Sequence, residues 1–122
     1  MAKTILIVDD SISMRHVLGI ALRGAGYEVI EGCDGRDALS KLTGQKVNLI
    51  ISDVNMPVMD GISFLKAVKQ LPVYKFTPVI MLTTVSEEAK MAEGRAAGAR
   101  AWVAKPFSPE KLIDAAQRMC LP

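Results

Sequence analysis

Residues 4–31 read "TILIVDDSISMRHVLGIALRGAGYEVIE". The first five, Thr4 to Val8, form an unbroken apolar run of the kind that suits a strand buried on both faces, as in a parallel sheet. Two acids, Asp9 and Asp10, end the run. Ser11 then offers a helix N-cap, and Met14, Val17, Leu18, Ala21, Leu22 and Ala25 follow at helical spacing until Gly26 closes the stretch. "YEVIE" (27–31) alternates apolar and polar residues, which suits an edge strand.

The pattern repeats along the chain. "NLIIS" (48–52), "PVIML" (78–82) and "AWVA" (101–104) read as three more strands. Asp34 precedes a helix over 35–43 closed by Gly44, and Asp60 can cap a helix from about Gly61 to Gln70. Ser86 precedes Glu87 and Glu88, acids in a first turn where the helix dipole favours them, and that helix ends near Gly98. Ser108 followed by Pro109 and Glu110 puts proline at the first helical position. Five β-α repeats predict an α/β domain with a doubly wound parallel sheet and helices on both faces, and right-handed crossovers leave few strand orders.

Size and composition narrow the function classes. The 122 residues make one domain over 1–122, and with 50% hydrophobic residues disorder is excluded. A net charge of +2 is too small for a nucleic-acid footprint. No apolar stretch approaches the roughly 20 residues of a membrane span, and the N-terminus lacks a signal-peptide cleavage site. Cys33 and Cys120 show neither metal-ligand spacing nor a disulfide pattern, so a reducing, cytoplasmic location is expected. At this length no appended output module is expected.

In open parallel sheets ligands bind beyond the carboxyl ends of the strands. The first strand ends in Asp9-Asp10, the third in Asp53, the fourth in Thr83-Thr84 and the fifth in Lys105, whereas the second ends in nothing distinctive. Each residue alone has a plain reading: a helix cap, a turn hydrogen bond, a lysine with a snorkelling stem. Their shared rim does not. Three clustered carboxylates repel, and burial raises the pKa of at least one unless a cation is present. An all-oxygen cluster suits Mg²⁺. With a lysine for an incoming anion and a threonine hydroxyl as donor, the set fits phosphoryl chemistry at a carboxylate.

The acid pair Asp9-Asp10, Asp53 with "MPVMDG" beyond it, Thr83 and Lys105-Pro106 in "KPF" resemble the receiver domain of bacterial two-component response regulators, over the whole chain. "VDDSISMR", with no output domain expected, most resembles single-domain chemotaxis regulators of the CheY type. The resemblance implies a flavodoxin-like strand order of 2-1-3-4-5. It implies that Asp53 accepts phosphate from a histidine kinase, and that Asp10, Asp53 and the backbone carbonyl of Asn55 hold Mg²⁺, with Asp9 acting through a metal-bound water. Lys105 would pair with Asp53 and then with the phosphoryl group, and Thr83 would move to that group. A cis peptide is implied between Lys105 and Pro106. Trp102 takes the place of the family's switch aromatic, commonly Tyr or Phe, with the small Ala104 and the Ala- and Gly-rich "AKMAEGRAAGARA" giving the ring room. That stretch is also an intrinsically weak helix, which suits a mobile element.

The resemblance further implies a monomeric signalling protein, not an enzyme with turnover, that catalyses only its own phosphorylation and dephosphorylation. Its output would be a changed surface near Trp102, Ala89 to Arg95 and Lys111. Its partners would be a kinase, a flagellar motor switch protein and a phosphatase, with neither nucleic acid nor membrane. A phosphorelay intermediate or phosphate sink is the alternative. A metal-dependent phosphatase is disfavoured because Asn55 stands where such enzymes carry a second aspartate, and a flavin binder because no phosphate loop follows the first strand. Asn55 and Val85 lie two residues beyond Asp53 and Thr83, flanking the water that hydrolyses the phosphoaspartate in this family, and imply moderate or slow self-dephosphorylation. His16 reads as a solvated surface residue.

Overall fold

A computed structural model describes residues 2–83 and 88–121, except the side chains of Glu88 and Ala89. Thr84, Val85, Ser86 and Glu87 lie outside the described residues, and with them the expected cap of the fourth helix. The order is β1 (Thr4–Val8), α1 (Ile12–Gly24), β2 (Glu28–Gly32), α2 (Gly35–Ser40), β3 (Leu49–Asp53), α3 (Gly61–Lys69), β4 (Val79–Thr83), α4 (Glu88–Ala97), β5 (Ala101–Ala104) and α5 (Pro109–Met119). All strand pairs are parallel, in the order β2-β1-β3-β4-β5. This is the expected doubly wound fold, and β2 is an edge.

Strand alternation sorts the core into two layers. Ile5 and Ile7 of β1 join Leu49, Ile51, Ile80, Leu82 and Val103 under α1 and α5, where Leu18, Leu22, Leu112 and Ala116 cover them. Leu6 and Val8 join Ile50, Val79 and Met81 on the other face, against Ala38 of α2 and Phe64, Leu65 and Val68 of α3. Each central strand is therefore buried on both sides, which explains the unbroken apolar runs.

Four expected caps are present. The side chains of Ser11, Asp34, Asp60 and Ser108 accept from the backbone N–H of Met14, Asp37, Ser63 and Lys111. Three details differ from expectation. The strands β2, β3 and β4 each run one residue later, because pairing sets their ends: Asp53 is in register with Leu82, and Thr83 with Ala104. Helix α2 stops at Ser40, since of residues 41–46 only Leu42 is even half-buried. Val17 is not core. It is 50% exposed and, with Met14, lines a groove of about 520 Å³ against Pro106, Phe107 and Pro109, while Leu18 and Leu22 take the sheet-facing positions.

Candidate phosphoryl-acceptor site

The carboxyl ends of β1 and β3 are adjacent in the sheet, so Asp9 and Asp10 meet Asp53 across one gap. Carboxylate oxygens of the three lie within 4.8 Å of one another. Asp9 and Asp53 are buried, at 1% and 5% exposure, and Asp10 faces solvent. Lys105, arriving from β5, donates from Nζ to Asp53 Oδ1 at 2.9 Å, and the backbone N–H of Val54 donates to the same oxygen at 3.0 Å. The Lys105-Pro106 peptide is cis, as expected. Thr83 closes β4 nearby and is buried.

The loop after Asp53 is folded back by Gly61, the first residue of α3. Its N–H donates to Val54 O at 2.8 Å, and a Cβ built there would sit 2.0 Å from the backbone oxygen of Asp53. Only glycine lets the helix start this close to the acceptor strand, which gives the "MDG" stretch a geometric reason.

Burial, chiefly, raises the pKa of Asp9, and the neighbouring charge of Asp53 adds to the rise, while the N–H of Ser11 pulls it down. That N–H reaches Asp9 Oδ1 at 2.9 Å, whereas Oδ2 is buried with no hydrogen-bond partner. Buried polar atoms are rarely left so. An unpartnered carboxylate oxygen in an all-oxygen cluster is the donor set of a hard divalent cation, so the residues present fit Mg²⁺.

Two contacts were not foreseen. Arg15 of α1 donates to the backbone oxygen of Asp9 at 2.5 Å and lies 3.4 Å from Glu31, which also pairs with Arg23. The end of β2, featureless in sequence, thus anchors the guanidinium that holds the acid turn. The signal was available: period-two alternation puts Glu31, beside Ile7, on the face that α1 covers. The second contact joins Lys90 of α4 to Asn55 Oδ1 at 3.2 Å. Nothing local in the sequence indicates it.

Trp102 is half-buried and packs against the core layer of α2 and α3. Its six-membered ring lies directly over Gly94 of α4, and Nε1 is buried without a partner. The ring is therefore already seated inward beneath α4. His16 is exposed, as expected.

The family profile of the response regulator receiver domain matches residues 5–117. The chain belongs to that family. It is 36% identical to Protein PilG of Pseudomonas aeruginosa over 111 residues, 91% of this chain and 82% of that one. It is 34% identical to the chemotaxis protein CheY of Thermotoga maritima over 98% of both chains. The structure of the chemotaxis response regulator CheY4 of Vibrio cholerae superposes with a TM-score of 0.91 at 50% identity, covering 98% of this chain and 99% of that one. The chain also matches transcriptional regulators, of which it spans about half, 45–49%. Receiver domains are signalling proteins that take phosphate from histidine kinases and act on downstream targets, and they hold Mg²⁺ in an acidic pocket.

Proposed function

We propose that Asp53 is the phosphoacceptor of this receiver. The observation that carries the reading is a buried carboxylate held by an ammonium at 2.9 Å inside a cluster of three acids. A carboxylate oxygen of Asp53 attacks the phosphorus of a kinase phosphohistidine. The P–N bond breaks, and its electron pair stays on the imidazole, which takes up a proton. Lys105 orients the acceptor beforehand and then grips the phosphoryl oxygens, joined by the Thr83 hydroxyl. Asp10, Asp53 and the Asn55 carbonyl would hold Mg²⁺, with Asp9 beside them. When bound, the cation neutralises the acid cluster and the incoming phosphoryl charge.

The domain covers 1–122 and works as a cytoplasmic monomer that biases a surface formed by α4, β5 and α5. Among the described residues, no helix is long and apolar enough to cross a membrane. A chemotaxis role is supported by two chemotaxis relatives that match nearly end to end, and a flagellar motor switch protein is the target proposed with it. Mg²⁺ with acetyl phosphate or beryllofluoride should change the fluorescence of Trp102, the only tryptophan. Asp53→Asn should lose the response to acetyl phosphate. A wild-type protein silent to both reagents would sink the reading.

A further inference from the structure

We propose that Lys90, a residue of α4 outside the acid site, sets the lifetime of the phosphate on Asp53 by occupying the amide oxygen of Asn55. The inference rests on Asp53 being the acceptor and asks what then controls loss of the phosphate. In hydrolysis a water oxygen bonds to phosphorus as the P–O bond to Asp53 breaks. The bond pair returns to the Asp53 carboxylate, and the water's protons pass to phosphate and solvent. The attacking water must approach opposite the leaving carboxylate, from the solvent side of the rim. A neutral hydrogen-bond acceptor placed there orients it and takes up its proton's partial charge.

Asn55, exposed and two residues past Asp53, carries such an acceptor in its Oδ1. In this structure that oxygen is engaged. Lys90 Nζ donates to it at 3.2 Å. One helical turn along α4, Glu93 pairs with Lys66 of α3 at 3.0 Å, a second polar contact from the same face as Lys90. Lys90 also lines a polar cavity of about 70 Å³, together with Val54, Asp60, Ile62, Ser63 and Glu93. It has room for a few waters beside the residue that follows the acceptor. Lys90 thus touches both a place for water and the amide able to aim it, and its ammonium competes with any water on the rim by taking one of the two lone pairs of that oxygen. As a positioning residue it acts on hydrolysis, which needs that water, and not on phosphoryl uptake, which does not.

The test follows decay of the phosphoprotein after loading with acetyl phosphate and Mg²⁺ and removing the donor. Lys90→Met should lose phosphate about three- to tenfold faster than wild type, the scale of one hydrogen bond redirected to the attacking water. Lys90→Arg should restore a near wild-type lifetime, and loading rates should be alike in all three. In an Asn55→Ala background Lys90→Met should change nothing, because the acceptor is gone. An unchanged lifetime in Lys90→Met overturns the proposal, and so does an acceleration that persists without the Asn55 side chain. Failure of every protein, wild type included, to load phosphate would instead overturn the assignment of Asp53, and the proposal with it.

Discussion

Gly94→Ala is a single methyl whose effect should reverse sign with the residue at 102. A Cβ at Gly94 would lie 2.3 Å from Cζ2 and 2.6 Å from Cη2 of Trp102, both well short of the 3.4 Å at which ordinary contact begins. The obstacle is the body of a half-buried indole, not the tip of a flexible chain, so either the ring or α4 must move. Two opposing contributions are calculable. Alanine in place of glycine in a helix interior stabilises by about 1 kcal/mol. Overpacking a seated side chain costs about 1–3 kcal/mol. In the wild-type background the net effect should lie between neutral and about 2 kcal/mol destabilising, from those two contributions. In a Trp102→Ala background the clash is absent, and Gly94→Ala should stabilise by the helix contribution, about 1 kcal/mol. Urea denaturation of the four proteins, followed by far-UV circular dichroism so that loss of the tryptophan does not matter, gives a coupling energy of about 1–3 kcal/mol. Tryptophan emission gives an independent reading: Gly94→Ala should shift it to the red as the ring is pushed towards water. Equal stabilisation in both backgrounds with unchanged emission would refute the seating of Trp102 under α4.

Two further outcomes follow from the acid site. Gly61→Ala puts a Cβ against the backbone oxygen of Asp53, which has no rotamer to yield. It should cost about 3 kcal/mol or more in urea unfolding, or prevent folding, and a loss under about 0.5 kcal/mol would contradict the close approach. Asp9 has its pKa raised mainly by burial. Between the unfolded value near 3.9 and that raised value the native state keeps a proton the unfolded chain has lost, so this group's contribution to stability falls as pH rises. With chelator present, Asp9→Asn should therefore be more stable than wild type at pH 7, and the gap should close as the pH is lowered through that window. A metal-free wild type that is the more stable of the two at pH 7 would show that Asp9 is not strained by its surroundings.

The parts of this molecule legible in its sequence are those that depend on one element at a time. Ile5 to Val8 declare a buried strand by residue type, and Ser11, Asp34, Asp60 and Ser108 declare helix starts because a cap is bonded within its own first turn. Asp9, Asp10, Asp53, Thr83 and Lys105 could be gathered on one rim because parallel topology sends every strand end to the same side. What could not be read depends on two elements meeting. Strand ends shifted by a residue because cross-strand register, not propensity, decides them. Val17 shares its helical spacing with the core but faces Pro109 across a groove that only the β5–α5 loop defines. The seat of Trp102 on β5 is set by a glycine on α4, and the bonds of Arg15 to the Asp9 carbonyl and Lys90 to Asn55 join residues with no pattern in common.

The central claim is that phosphate goes to Asp53. After incubation with acetyl phosphate and Mg²⁺, borohydride trapping and peptide mass mapping should find the reduced residue at position 53 in wild type and nowhere in Asp53→Asn. Trapping at another carboxylate, or no trapped residue in a protein that has bound beryllofluoride, would contradict it.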